Sequence, residues 1–395
     1  MAFIVPLSGI TFASDVSLFR FLSTRNGLPD NNVRFVTMLP DGLACIQTAT
    51  ALSLYNGATS EIYRYNLSEL PYSEYNGLSN LVYDAAEDIL WCQNQSHVWV
   101  FNMESRAFEY DISGRLKSYG LVSDGLSGVF IHSNGDRWFI MDDGSIWISS
   151  AGGVSVRRIT LPSGMNCPVH IQEYGQKVWI LSLNGMLVQY DYHLDEFMLS
   201  TRIEAGSASD GSSRFQMEVA GDGKVWMMYD KNLYSFNPAT GITDEADFIH
   251  LPEYDLLTSI EIDTNDNLWI GTARSGLSIY HQSDGTYETF PYLEGTNGKK
   301  IYHHTDISGI FADNFGGIWV ATQAEGLAYG NKSIIHLKTI NSQTISSGVM
   351  RDESVKCMLP LDDGKILFGT VKGLMSYDPL QNSVSVPYPE LSNEL

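Results

Sequence analysis

Three groupings in this 395-residue chain have side chains able to do chemistry. The first is basic: Lys299, Lys300, Tyr302, His303 and His304, inside the polar insert from Pro291 to Asp306. Neighbouring residues on an extended segment point to opposite sides, and no third ligand stands at a useful spacing for a metal. The alternatives are a solvated basic loop, or lysine and histidine meeting a carboxylate or sulfate on a sugar. The second grouping is acidic: Asp142-Asp143 and Asp362-Asp363. A glycosidase needs two carboxylates roughly 5 to 10 Å apart across a cleft. Asp143 and Asp363, however, precede Gly144 and Gly364, where aspartate favours the turn itself. The third is Asp263, Asn265 and Asp266, a D-x-N spacing like part of a calcium loop, but without the glycine and distal glutamate such a loop requires. There is no G-x-S-x-G elbow and no phosphate-binding loop. The expectation is no catalytic residue, no metal site and no cofactor.

What remains is recognition by aromatic and basic side chains in variable connections. These are Tyr72 and Tyr75 in residues 66–80, Tyr254 in 250–257, and Tyr292, Lys299, Lys300, Tyr302 and His303 in the long insert. Aromatic faces stack on sugars and polar groups read their hydroxyls. The formal net charge is −22. Such a surface repels phosphate backbones and anionic membranes, so nucleic acid is not an expected partner. Cys45, Cys92, Cys167 and Cys357 show no metal-ligand spacing and read as free, mostly buried thiols, with a Cys45–Cys92 bridge left open. Residues 1–14 are mostly apolar and end in small residues before Asp15. They read either as the remnant of a secretory signal lacking its basic start, or as an extended N-terminal segment.

The elements that carry these residues repeat. Asp263-Thr264-Asn265-Asp266-Asn267-Leu268-Trp269-Ile270-Gly271-Thr272 is followed by Gly276-Leu277-Ser278-Ile279-Tyr280. The same phrase returns at 313–329 and 362–377, and in looser form earlier. Its anchors are Trp91, Trp138, Trp179, Trp226, Trp269, Trp319 and Phe368, spaced 47, 41, 47, 43, 50 and 49 residues apart. Several short strands per period of about 40 to 50 residues mark a β-propeller. Asp, Asn and Gly clusters close the hairpins because they tolerate positive φ. One such sheet cannot bury both faces alone, and neighbours in a ring supply the cover.

The fold class is therefore all-β: a seven-bladed β-propeller with four-stranded antiparallel blades, plus an eighth repeat. The expected divisions are residues 1–14, then 15–340 for seven blades, then 341–395 for the eighth copy. That last copy either begins a second propeller, which the count favours, or adds a blade to the same ring. Phe19-Arg20-Phe21-Leu22 is expected to complete or brace the seventh blade, since pairing the chain's start with a late blade resists opening.

The phrase D-x-x-G-x-[IL]-W-[IV]-[GA]-T followed by G-L-x-x-Y resembles the two-component regulator propeller repeat. Residues 263–280, 313–329 and 362–377 match best, whereas Cys92-Gln93 and Phe139-Ile140 replace the Gly-Thr step. Asn26-Gly27-Leu28-Pro29-Asp30-Asn31-Asn32-Val33 resembles the start of the extracytoplasmic sensor in hybrid two-component systems of glycan-degrading bacteria. The resemblance implies a periplasmic sensor region, normally two seven-bladed propellers and a small β-sandwich, ahead of a membrane helix, histidine kinase, receiver and DNA-binding domain. It also implies an oligosaccharide ligand, a homodimeric full-length receptor, and membrane attachment only through a downstream helix. Two other readings compete. A lyase or glycoside hydrolase would need His, Glu and Arg converging on the central channel. An interaction platform would present a contiguous apolar patch.

Overall fold

A computed structural model describes residues 18–70, 79–94, 97–121, 125–153, 155–203, 214–290, 292–295, 300–302, 306–331, 347–348, 354–361, 363–378, 381 and 383–387. Among them the regular structure is strand, apart from one short helix, Ser113–Ser118. The chain divides into two compact units: Arg20–Leu293 with Ile301–Asn331, and Met1–Phe19 with Glu294–Lys300 and Lys332–Leu395.

The larger unit is a propeller of seven blades. Six are four-stranded antiparallel sheets whose strands follow chain order. Their innermost strands are Val33–Met38, Ser79–Asp84, Leu126–Ile131, Pro168–Tyr174, Arg214–Val219 and Leu257–Ile262, for blades 1 to 6. Blade 7 takes three strands from the chain's later part, Ile307–Ala312, Gly317–Thr322 and Leu327–Asn331. Its fourth comes from the start: Arg20, Phe21 and Leu22 pair antiparallel with Tyr329, Ala328 and Leu327. The N-terminal strand thus completes the blade, one of the two roles expected of it. Blade 7 also meets blade 1 directly. Ser308 Oγ donates to Val33 O at 2.5 Å, and the rings of Phe35 and Phe311 lie edge to face at 4.4 Å. The ring closes on seven sheets.

The repeated residues build this locally. In blade 6 the Asp263 carboxylate accepts from the backbone N–H of Asn265 and Asn267 and from Trp269 Nε1, at 2.8, 3.0 and 2.9 Å. Asp313 does the same for Phe315, Gly317 and Trp319 in blade 7. One side chain therefore closes the turn and orients the anchor indole. Asp263 is committed to that task. All seven anchors are buried. Four of them occupy matching places: Trp138, Trp226, Trp269 and Trp319 pair across the ladder with the innermost-strand residue eight positions earlier, Phe130, Glu218, Glu261 and Phe311. Apolar clusters then run from blade to blade, as where Trp138 and Ile148 of blade 3 meet Val178, Val188 and Tyr190 of blade 4.

Blades 2 and 3 are also tied by a buried ion pair. Arg137 Nε lies 2.5 Å from Asp84 Oδ2, with both side chains almost wholly buried. The guanidinium also sits 4.9 Å from the centroid of the Tyr119 ring and 3.2 Å from Glu87. Arg115, on the short helix, reaches Glu87 and Glu109.

The smaller unit contains the eighth sheet, Val355–Pro360, Ile366–Thr370, Gly373–Asp378 and Ser383–Ser385, around Phe368, Met375, Tyr377 and Val384. All six residues of Val355–Pro360 are exposed. Leu18 and Phe19 pair in parallel with Glu294 and Gly295. All four cysteines are free; Cys45 and Cys92 are buried, whereas Cys167 and Cys357 are exposed, so the bridge left open does not form and only half the thiols are covered. Among the described residues no helix is long and apolar enough to cross a membrane.

Candidate functional site

Side chains alternate along a strand, so a ring of innermost strands turns one set of residues toward its axis. In this propeller six of them enclose an axial cavity of about 230 Å³. Blade 1 contributes Arg34 and Phe35, blade 2 Asn80, blade 4 His170, blade 5 Phe215, Gln216 and Glu218, blade 6 Thr258, Ser259 and Glu261, and blade 7 Ser308 and Phe311. A second space of about 440 Å³ shares Asn80, Gln93, Val169 and His170 with it and opens among blades 2, 3 and 4.

The polar wall is cross-braced from blade to blade. Gln172 Nε2 of blade 4 donates to Glu218 Oε2 of blade 5 at 3.0 Å. Gln216 of blade 5 grips the backbone of blade 6, donating to Ile260 O at 2.6 Å and accepting from Ile260 N at 3.1 Å. Ser259 Oγ donates to Gln216 Oε1 and accepts from Ile310 N of blade 7. Glu261 Oε1 accepts from Ala312 N at 3.0 Å.

The charged groups are strongly perturbed. Burial is the main cause at Glu218; hydrogen bonds from Gln172 and Gln216 offset part of it, and the carboxyl is pushed up to about 7. Glu261 is raised well above the usual carboxylate range by burial and then by the charge of Glu218, with only the Ala312 N–H favouring ionisation. Both side chains touch the cavity and so keep some open surface. Burial lowers His170 to about 4, so its imidazole is neutral at neutral pH. The Nδ1 atom of His170 is buried without a hydrogen-bond partner.

Of the residues expected from sequence, Tyr254, Tyr292 and Lys300 are among the described ones and do not line this cavity. Tyr254 is 67% exposed, with the Arg274 guanidinium 5.9 Å from its ring centroid. Tyr292 is half-buried and starts the strand Tyr292–Gly295. Lys300 is exposed and, with Tyr302, belongs to the strand Lys300–Tyr302. The insert is therefore not a plain loop: its Tyr-Leu-Glu-Gly and Lys-Ile-Tyr runs have enough β propensity to pair. Tyr72, Tyr75, Lys299 and His303 lie outside the described residues, as do His304 and Asp362. Asp143 takes both the N–H and the hydroxyl of Ser145 within its turn, while Asp142 accepts from Ser127 on the innermost strand. Among the described residues no three His, Cys, Asp or Glu converge as a metal site.

Sequence reasoning passed over Glu218 and Glu261. The signal was there: an acid stands eight positions before the anchor tryptophan in two consecutive copies, on strands otherwise apolar at that register.

No family model matches this chain, and no curated protein does. Solved structures do. An extracellular domain from B. thetaiotaomicron, assigned to a hybrid two-component system, aligns with a TM-score of 0.59 at 16% identity, over 92% of this chain and 54% of that one. The fold is shared. A second B. thetaiotaomicron extracellular domain, assigned to a one-component system, aligns at 0.57 and 17% identity, over 92% of this chain and 46% of that one. The WD40 propeller domain of Doa1 aligns at 0.50 and 12% identity, over 80% of this chain and 95% of that one. The chain spans about half the length of the two bacterial domains. At these identities the likeness is one of fold.

Proposed function

We propose that this chain is a ligand-recognising propeller from the extracytoplasmic, periplasmic sensor of a hybrid two-component receptor. In this reading it binds oligosaccharides released by glycan breakdown, and occupancy biases a homodimeric receptor that controls a linked histidine kinase. The observation that carries the reading is the match of fold, over 92% of the chain, to an extracellular domain assigned to such a system. The repeat phrase points the same way. Tyr254, exposed beside Arg274, is the described aromatic best placed to stack on a sugar. Tyr72, Tyr75, Tyr292, Lys299, Lys300, Tyr302 and His303 complete the proposed surface.

The eighth sheet is proposed to begin a second propeller. Support comes from Val355–Pro360: an innermost strand with all six residues exposed, including Met358 at 71% and Leu359 at 59%, is a blade edge lacking its neighbour. Calorimetry of the full ectodomain against a panel of oligosaccharides tests the sensor reading. A saturable isotherm for at least one member is expected; no heat with any member overturns it.

A second reading, a propeller enzyme, is favoured by one observation: Arg34, His170, Glu218 and Glu261 converge on the axial cavity. Chromatography of the same oligosaccharides after incubation separates the two readings. Products that vanish with Glu261→Gln would establish catalysis.

A further inference from the structure

The axial cavity has a chemistry of its own, distinct from that of the exposed aromatics. Its wall between blades 4 and 6 offers acceptors in excess of donors. A carboxylate can accept about four hydrogen bonds, yet Glu261 accepts only one, from Ala312 N. Glu218 beside it is held by two neutral amides, Gln172 and Gln216. His170 is also among the lining residues. Aromatic side chains line the cavity as well: Phe35 and Phe311 in edge contact at 4.4 Å, and Phe215, 4.9 Å from Tyr229. Arg34 enters from blade 1, two blades round the ring from Glu261. At about 30 Å³ per liquid water, some eight waters or one compact organic molecule would fill the space.

We propose that the axial cavity is a binding site for a small primary ammonium, whose N–H groups are held by Glu218 and Glu261 while Phe35, Phe215 and Phe311 enclose its carbon stem. An ammonium supplies three donors and the positive charge this wall lacks, and aromatic faces attract it further. Binding also replaces a proton. The titratable groups facing the cavity are Arg34, His170, Glu218 and Glu261. Of these, Glu218 and Glu261 are both held to their protons more tightly than an ordinary glutamate, chiefly by burial. An incoming cation favours the ionised pair, so a proton leaves to solvent as the ammonium enters. The site shares no residue with the proposed oligosaccharide surface, so either proposal can fail alone.

Isothermal titration calorimetry of the chain with n-butylammonium and with 1-butanol, its neutral counterpart, tests the proposal. The amine stays protonated across the working range, so any pH dependence belongs to the protein. Butylammonium is expected to bind at least about tenfold more tightly than butanol. Its affinity should rise from about pH 6 to about pH 8, and titrations in buffers of different ionisation enthalpy should show net proton release. Glu261→Gln, which keeps shape and removes the charge, is expected to lower butylammonium affinity about tenfold or more. The wild-type comparison stands even if that variant misfolds. Equal binding of amine and alcohol, no binding of the amine, binding without proton release, or undiminished affinity in a folded Glu261→Gln protein would each overturn the proposal. So would equally effective competition by potassium, which has no stem to enclose.

Discussion

Glu218 and Glu261 keep their protons to higher pH in the folded ring than in the unfolded chain, where a glutamate titrates near 4.5. Their contribution to stability is therefore full below that value. It is lost as pH rises through the raised folded-state values, about 7 for Glu218. His170 works in the other direction. It stays neutral down to about 4 when folded, so its contribution is lost as pH falls from 6.5 toward that value. The slopes oppose one another in the acid range, and above about pH 6.5 the carboxylates act alone. The unfolding free energy from urea titrations is expected to fall as pH rises above about 6.5, with a slope no steeper than about 1.4 kcal/mol per pH unit per proton. The Glu218→Gln, Glu261→Gln double variant should flatten that slope; a level wild-type profile would contradict the assignment. Arg137 makes the second residue-scale prediction. Removing one partner of a buried pair strands the other charge. Arg137→Met should cost about 3–5 kcal/mol in urea denaturation, and adding Asp84→Leu should recover much of it. Equal losses in the single and double variants would show that the pair matters only for packing.

At the scale of elements, the N-terminal strand holds the ring shut. The turn before Leu327 decides how closely it can approach. Gly326 has φ +90°, and a Cβ there would come within 2.2 Å of Leu22 O. Gly42 has a similar φ of +85° with nothing near. Gly42→Ala is expected to cost about 1 kcal/mol of backbone strain. Gly326→Ala adds a clash with the closing strand and should cost several times more, with faster hydrogen exchange at Arg20–Leu22. Similar losses for the two would mean the strand is dispensable. Much of this scale was legible in the sequence. The anchors Trp226, Trp269 and Trp319 fixed the period, and Phe19-Arg20-Phe21-Leu22 was visible as a strand with no hairpin partner of its own. The axial acids were not picked out, because which face of an innermost strand meets the axis depends on register across the ladder. A polar insert reads as loop until pairing is seen, so Tyr292 and Tyr302 were placed on loops although both lie on strands.

At the scale of the whole molecule, seven sheets give a rigid frame in which polar groups from different blades hold each other in place. Gln172, Glu218, Gln216, Ser259, Glu261 and Ala312 form a braced arc across blades 4 to 7. Such a frame suits recognition, because its groups are set before a ligand arrives. The strong negative charge fits a neutral or cationic ligand better than a polyanion. Recognition without turnover is the central claim. Its most direct measurement is mass spectrometry of an oligosaccharide eluted from the ectodomain after saturable binding. The account predicts the ligand recovered intact and in stoichiometric amount. Recovery of cleaved or eliminated sugar, in amounts that grow with time, would contradict it.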